Sequence, residues 1–447
     1  MLSGIRRARV VLKPRAALCS LALLISILQL QTTAVAQEEA EASAPRSRTS
    51  LAAVLAFADA HAPAIVLARA RLEEGRAARE GADRLLSAPL QVGAAIGPRF
   101  ADATGEDFDV QLSVSQTIEV GGERGLRQDA ASRLSERRDA ELTAVLWQVH
   151  RAVHFAFHEA IEARVREEAE RRWVAFAERM VAIATTREAA GDVGPLEVMT
   201  ARAEYALALQ RLRAAELRQR AATLTLAEAS GWPASSPPIP AGELEAPHAI
   251  PEDADLVSRA LENHPLIHAL SAAVTERSAA LRVSEREATP TLDVGLLLSR
   301  EGSAGSPANY IGLLTLGVAI PVWNPNTAER AQAGAQLSIA EAELLSQQSA
   351  MQARVLRASA TVRSSGEQVR IFEEDVLPGF EQHVALLEQA FSLGELNALD
   401  VGTAARRLLE AQDNALNAFA EYHRALAELE AEVGDEVVPD NAHGGGR

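Results

Sequence analysis

Two stretches of the sequence decide the fold, Gly191-Asp-Val-Gly-Pro-Leu-Glu-Val198 and Gly394-Glu-Leu-Asn-Ala-Leu-Asp-Val401. They are copies of one another at an offset of 203 residues. The same offset relates residues 226–231 (LAEASG) to 429–434 (LEAEVG), and His61 to His264. A repeat of this length indicates a duplicated domain and not a solenoid of short units.

The duplication sets the domain organisation. We predict a first repeat over residues 51–231 and a second over residues 254–434, separated by a linker at 232–253 that holds six prolines. Residues 37–50 and the glycine-rich tail 435–447 are predicted to be disordered.

Residues 1–36 have the three parts of a secretory signal, a basic start, an apolar run and Ala34-Val35-Ala36. Cys19, the only cysteine, lies inside this signal, so disulfides and cysteine metal sites are not expected in the mature chain. Loss of five of the 44 basic residues and none of the 61 acidic ones would leave a net charge of −22. Such a charge argues against nucleic acid as a partner.

Four segments alternate apolar and polar residues and are predicted to be strands. The apolar positions are Leu90, Val92, Ala94 and Ile96; Phe108, Val110, Leu112 and Val114; Leu292, Val294, Leu296 and Leu298; and Leu314, Leu316, Val318 and Ile320. A length of about 9 to 11 residues suits a tilted strand that crosses a membrane. A soluble two-layer β domain with one buried face would show the same alternation.

Four strands cannot close a barrel, and an open sheet edge does not survive in lipid. If the strands cross a membrane, three copies of the chain must share a twelve-stranded barrel, the smallest symmetric solution with a usable bore. The fold class is therefore mainly α with a β-barrel contribution. Each half runs helix, strand, strand, very long helix, helix, and the long helices are expected over residues 124–189 and 328–392, with a break at Pro378-Gly379.

The duplicated turns are the main candidates for a functional site. Gly191, Gly194 and Gly394 supply the backbone freedom that a reversal between helices needs. Helix capping alone would explain these residue types. Glu197 and Asp400 each follow an aligned glycine by six residues, so in a trimer they would form a ring of six acids at one end of a helical tube.

His150, His154 and His158 recur at four-residue spacing along one helix face. Histidines at this spacing can ligate transition metals, but without a carboxylate in fixed register they more often belong to a packing or solvated face. We therefore predict no metal site and no cofactor, and keep these histidines as weak candidates. No phosphate-binding glycine loop, zinc-protease motif or nucleophile elbow occurs, so an enzyme is not expected.

These features resemble the outer membrane efflux family of TolC-like channels over nearly all of residues 51–434. The resemblance rests on the duplication, the strand pairs, the two turns, His264-Pro265 and Ala319-Ile-Pro-Val322. Within the family, residues 115–124 (SQTIEVGGER) and Gly194-Pro-Leu-Glu197 are most similar to the heavy-metal efflux branch. Glu123 stands where that branch usually has lysine.

The resemblance implies a homotrimer in the lipid of the cell outer membrane, with a helical tunnel through the periplasm. It implies that Gly191, Gly194, Leu196, Gly394 and Leu399 lie at a tip where a periplasmic membrane-fusion adaptor and an inner membrane RND-type pump dock. Asp400 falls at the position of a cation-sensitive entrance aspartate, Glu197 is its duplicate, and Thr403 replaces a second acid.

The leading hypothesis is a passive exit duct of a tripartite efflux system that exports heavy-metal cations. Two alternatives remain open at this stage. One is a channel of the same family for drugs or small organic compounds, and the other is a periplasmic adaptor or scaffold with a soluble β domain.

Overall fold

The computed structural model describes residues 48–437 except 87, 102–104, 245, 288, 302–306, 308, 321–325, 376–378 and 436. The signal at 1–36 and residues 438–447 of the tail lie outside the described residues. The first repeat contains α1 (Leu51–His61), α2 (Pro63–Ala82), β1 (Gln91–Ala101), β2 (Gly105–Ile118), α3 (Glu123–Ala190) and α4 (Pro195–Ser230). The second contains α5 (Asp253–Asn263), α6 (Pro265–Arg286), β3 (Thr291–Glu301), β4 (Asn309–Ala319), α7 (Thr327–Asp375), α8 (Phe380–Leu393) and α9 (Ala398–Val433).

The long helices are the dominant feature. Helix α3 has 68 residues, which corresponds to about 100 Å of length. Helix α7 ends at Asp375 and α8 begins at Phe380, on either side of the predicted break at Pro378-Gly379. Each long helix is followed by a tight turn and a returning helix of 36 residues, α4 or α9. The expected helical hairpin of each repeat is confirmed.

The composition and periodicity of residues 51–86 predict a single helix that ends before Pro89, and this prediction was wrong. The structure has two helices that meet at Ala62, whose backbone is extended (φ −60°, ψ 126°), and the second ends at Ala82. Pro63 explains the break, because proline disfavours the helical conformation in the residue before it and cannot donate a backbone hydrogen bond. The second repeat has the same joint at His264-Pro265.

The four strands form one antiparallel sheet in the order β1-β2-β3-β4. The register aligns the predicted apolar positions in rows across the sheet, for example Val92, Val114, Leu296 and Leu314. These side chains are exposed, so this face is apolar and has no partner within the described part of the chain. The opposite face carries polar rows such as Gln91, Ser115, Gly295 and Thr315, together with Leu297 and Leu313.

The strand ends differ from the prediction in one place. The polar, glycine-containing sequence of residues 99–107 predicts a loop, but β1 continues to Ala101 and β2 begins at Gly105. The two strands remain paired up to Ala101 and Gly105, because antiparallel pairing satisfies their backbone groups. The sequence of residues 300–309 likewise predicts a loop; β3 ends at Glu301 and β4 begins at Asn309, and most residues between them lie outside the described part of the chain.

Within the described residues, no single helix is long and apolar enough to cross a membrane. Helices α1 and α2, which are bent by 44°, meet the length and composition test only as a pair.

The repeated glycines and histidines form the joint that closes each repeat. Gly231 (φ +72°) ends α4 against the backbone of His61, and Gly434 (φ +82°) ends α9 against His264. A Cβ atom at Gly434 would lie 2.9 Å from the His264 Cα, so only glycine fits both the conformation and the space. Each histidine therefore contacts the glycine of its own repeat, which explains why both residues recur at the same offset of 203 in the sequence.

Three apolar cores support the hairpins. One lies in the first repeat around Val54, Val153 and Leu226, and a second lies in the second repeat around Met351, Tyr422 and Leu429. The third packs the two hairpins against each other near the turns.

The segments at the edges of the repeats are partly ordered. Thr49 pairs with the linker, where its N–H donates to Ile239 O (2.8 Å) and its carbonyl accepts from Ala241 N (2.9 Å). At the other end, Val437 is buried in the second core. The predicted disorder of residues 37–50 and 435–447 is therefore wrong for Thr49 and Val437, because backbone pairing and apolar burial hold them.

Candidate entrance site at the helical tip

Both turns use the same backbone geometry. Gly191 (φ +83°) and Gly394 (φ +82°) end α3 and α8 in the left-handed conformation. Their amides and those of the following residues donate to the last carbonyls of the helices, for example Asp192 N to Arg187 O at 2.9 Å and Glu395 N to Ala390 O at 2.9 Å. This termination leaves few helix-end carbonyls unsatisfied. Glycine at these two positions is thus explained by the turn itself.

The predicted entrance acids have different surroundings. The Glu197 carboxylate accepts a hydrogen bond from the backbone amide of Ala398, the first residue of α9. Asp400 is exposed, and its amide donates to the Asn397 side chain at 2.9 Å. Glu197 is therefore engaged at the positive end of a helix of the other hairpin, whereas the Asp400 carboxylate faces solvent.

Arg187 holds the other end of the second turn. Its Nη1 donates to Phe391 O at 3.0 Å, and its guanidinium lies 5.5 Å from the Phe391 ring centroid. The first hairpin thus places a base at the carboxyl end of α8 and an acid at the amino end of α9. Both charges match the helix dipoles they contact.

The two hairpins also share an apolar core, which includes Trp173, Phe176, Met180, Val198, Phe391 and Val401. Polar contacts border it: Arg406 Nη1 lies 2.5 Å from Glu204 Oε1, and Trp173 Nε1 donates to Gln412 Oε1 at 2.7 Å. Gly402 allows this approach, because a Cβ there would lie 3.2 Å from the Glu204 carboxylate. The tips of one chain are therefore held together by packing as well as by charge.

Glu170 of α3 lies farther from the turn, where α3 packs against α4, and it is buried. Arg211 Nε is 3.6 Å from its carboxylate. Burial raises the pKa of Glu170, although the nearby Arg211 charge opposes the change. This carboxyl is the main buried acid between the arms of the first hairpin.

The tip carries exposed apolar side chains. Leu196 and Leu399, predicted to mark a docking tip, are 76% and 62% exposed, and Met199 and Leu393 are similarly exposed. Several large apolar side chains exposed at one end of a molecule are typical of a protein interaction site. The docking role of Gly191, Gly194 and Gly394 remains a prediction.

The histidine stripe is dispersed among other contacts. His150 Nε2 lies 2.7 Å from Asp59 Oδ1, and the His158 ring stacks on His423 of α9 with centroids 5.2 Å apart. His154 lies near His158, at 6.4 Å between ring centroids. No group of three potential metal ligands occurs among the described residues. His150 and His158 therefore contact α1 and α9, while a metal role for the three histidines stays a weak hypothesis.

Sequence reasoning missed Arg187, Glu204 and Arg406. Arg187 had a local signal, since a base in the last helical turn is favourable. Its partner, the carbonyl of Phe391, is 204 residues away and could be located only once both hairpins were placed side by side.

Comparisons with known proteins define the class. Residues 256–435 match the family described as "Outer membrane efflux protein". The cobalt-zinc-cadmium resistance protein CzcC of Cupriavidus metallidurans is 28% identical over 319 residues, which are 71% of this chain and 75% of CzcC.

Two solved structures share the fold. The outer-membrane channel OprN superposes with a TM-score of 0.68 at 18% identity, covering 87% of this chain and 91% of OprN. The outer membrane protein VceC of Vibrio cholerae gives 0.67 at 16% identity, covering 87% and 97%.

The relatives that these comparisons find are channel proteins of outer membrane efflux. The expected resemblance to outer membrane efflux proteins of TolC-like architecture is confirmed, as are the expected fold class, efflux-channel function and outer membrane location. The family match and the likeness to CzcC support the outer membrane channel and not the periplasmic adaptor alternative.

Proposed function

We propose that three copies of this chain form a passive exit duct for heavy-metal cations. The observation that carries the trimer is the four-stranded sheet, which has one exposed apolar face and two open edges, β1 and β4. In lipid each edge must pair with another strand, and pairing β4 of one copy with β1 of the next satisfies both. Three copies give a closed barrel of twelve strands.

The cargo is proposed from the relative named for cobalt, zinc and cadmium resistance. The exposed Asp400 supports a cationic cargo, because three copies would place three carboxylates near the axis of the tip. We infer a different role for Glu197 from the one in the predicted ring of six acids. Its carboxylate caps α9 and thereby positions Asp400 two residues further on.

We further propose that the exposed leucines of the tip, Leu196 and Leu399, contact a periplasmic membrane-fusion adaptor, and that an RND-type inner membrane pump supplies the energy. The support is their exposure at the end of the helices opposite the sheet. The channel itself supplies a path and no driving force.

The experiment that tests the cargo is deletion of the gene followed by its restoration. We expect deletion to lower tolerance to zinc, cobalt or cadmium, and the restored gene to recover it. Copper and a panel of organic toxicants are tested in parallel. Sensitivity confined to the organic compounds would contradict the metal cargo and support a channel for small organic molecules.

A further inference from the structure

An exposed apolar collar lies where the sheet meets the helices. It consists of Leu85, Leu86, Leu90, Val120 and Ile320, which are between 45% and 73% exposed. Leu85 and Leu86 follow the end of α2 and precede β1, in a segment with no regular secondary structure. Exposure of several large apolar side chains in a connecting segment requires a partner or an apolar environment.

The collar continues the apolar face of the sheet. Leu90 and Ile320 have the same strand parity as Val92 and Val318, so they extend that face by one step beyond β1 and β4. Gln116 Nε2 donates to Ala88 O at 2.8 Å, which fixes the connecting segment beside β2. The pairing of β1 with β2 begins at Gln91 and Ser115, so Ala88 and Gln116 lie just outside the paired region, on the side of the helices.

Polar groups begin immediately on the helix side of the collar. Asp83 accepts hydrogen bonds from Arg124 Nη2 at 3.1 Å and Gln128 Nε2 at 2.7 Å, and Arg84 is exposed. The chain therefore passes from charged to apolar between Arg84 and Leu85. Such a boundary, with an arginine beside large apolar residues, matches the chemistry of a membrane surface.

Aromatic residues usually mark this level in membrane barrels. Among the described residues at this end of the sheet, 88–92, 116–122, 289–293 and 317–320, none is aromatic. In the second repeat the corresponding segment, residues 287–290, has no leucine. Among the described residues, the exposed leucines of the first repeat are therefore the large apolar side chains at this level.

We propose that the collar is a lipid anchor, with Leu85 and Leu86 inserted among the acyl chains of the periplasmic leaflet and Arg84 at the phosphate level. Lipid is the occupant because the collar is continuous with the membrane-facing side of the sheet. The anchor fixes the depth of the sheet in the bilayer, so that the helices begin at the water boundary. This inference depends on the outer membrane location and not on the metal cargo or the tip.

The test uses single nitroxide labels on the full chain. Cys19, the one native cysteine, lies in the predicted signal, so each introduced cysteine is the only thiol of the mature chain. We place labels by Leu85→Cys and Leu86→Cys, with Val92→Cys as the membrane control and Leu196→Cys as the water control. The protein is reconstituted in vesicles of phosphatidylethanolamine and phosphatidylglycerol, and collision with oxygen is compared with collision with a water-soluble nickel chelate.

We expect labels at 85 and 86 to resemble the Val92 label, with oxygen favoured over the chelate, and at a shallower depth. Preference for the chelate would overturn the proposal, because the collar would then face water. Immobile labels shielded from both reagents would also overturn it, since they indicate burial against a second copy of the chain.

A second variant tests the consequence for depth. Leu85→Ser combined with Leu86→Ser is expected to shift the depth of the Val92→Cys label while oxygen collision still shows it in lipid. An unchanged depth contradicts an anchoring role. Neither measurement uses export, so failure here and failure of the proposed cargo are distinguishable.

Discussion

Glu197 and Asp400 show at the residue scale how duplicated positions acquire different roles. Both stand in the first turn of a returning helix, but Glu197 caps the neighbouring hairpin while Asp400 is exposed. His61 and His264 diverge in the same way. His61 Nδ1 bonds to Phe57 O, whereas His264 caps α6 by accepting from Leu266 N at 3.0 Å and donating to Ala431 O at 3.1 Å.

The entrance acids give the first prediction. Changing Glu197→Gln and Asp400→Asn together should raise single-channel conductance and weaken block by divalent cations, because the entrance loses negative charge. We expect Asp400→Asn alone to cause most of the effect, and Glu197→Gln to cause little, since an amide oxygen can still cap α9. Planar-bilayer recording measures both quantities, and unchanged block in the double variant excludes an acidic entrance.

His264 gives a prediction of pH dependence. Burial lowers the pKa of His264 below the ordinary 6.5, although the hydrogen bond to Ala431 O and the charge of Glu432 oppose this, and Arg354 and Arg151 act in the same direction as burial. The unfolded chain then binds a proton more readily than the folded chain. The contribution of His264 to stability is present above pH 6.5 and is lost as the pH falls through its lowered pKa.

The measurement is thermal dissociation of the detergent-purified protein at pH 7.5 and pH 5. We expect the wild-type chain to lose stability between these values and His264→Gln to lose less. His61→Gln is the matched control, because its position in the first repeat is equivalent. Equal losses in His264→Gln and the wild type would mean that other groups carry the pH dependence.

At the scale of elements, the tip is a unit made of both hairpins. Arg187 and Glu197 fix the two ends of the turn between α8 and α9, and Arg179 pairs with Glu388 of α8 at 3.0 Å. Side chains of the first repeat therefore position α8, the shorter helix of the second hairpin. The exposed leucines lie outside this interface and have no structural role within the described chain.

The leucines give the third prediction. Leu196→Glu and Leu399→Glu should abolish export while leaving the trimer intact, because they change an exposed docking surface and not the core. Export is measured by metal tolerance and the trimer by electrophoresis of unheated samples. Val401→Glu, which places a charge in the shared core, is the contrasting variant and should disrupt the tip itself. Loss of trimer with Leu196→Glu would instead make Leu196 a packing residue.

At the scale of the whole molecule, the sheet is incomplete in one chain. Its apolar face is exposed and its two edge strands have no partner in the described part of the chain. The helices adjoin one end of the sheet, where β1 and β3 begin and β2 and β4 end. These features support the proposed closure of the sheet by further copies of the chain within a membrane.

Neighbouring leucines on β4 give the fourth prediction. Leu314 lies on the apolar face and Leu313 on the opposite face. Leu314→Lys should destabilise the membrane-inserted trimer by about 2–4 kcal/mol if it lies near the bilayer midplane, while Leu313→Lys should cost much less. The yield of trimer in outer membrane fractions compares the two. Equal yields would contradict a lipid-facing role for this side of the sheet.

The sequence by itself determined the duplication, the four strands with their apolar face, the hairpins and their turns. These depend on local rules, since periodicity, glycine conformations and turn chemistry act over a few residues. It also contained Pro63, which breaks the first helix, but that local signal was overlooked. The exposed position of Leu196 and Leu399 agreed with their prediction as tip residues, although docking is still to be tested.

Only the tertiary structure decided which of the two acids is free. Glu197 and Asp400 are equivalent in the sequence, and the difference between them arises because the first hairpin packs beside α9 and presents Glu197 to the amide of Ala398. The same applies to Arg187 with Phe391 and to Glu204 with Arg406. Contacts between residues more than 200 positions apart depend on how the repeats pack together, and no local pattern in either repeat specifies them.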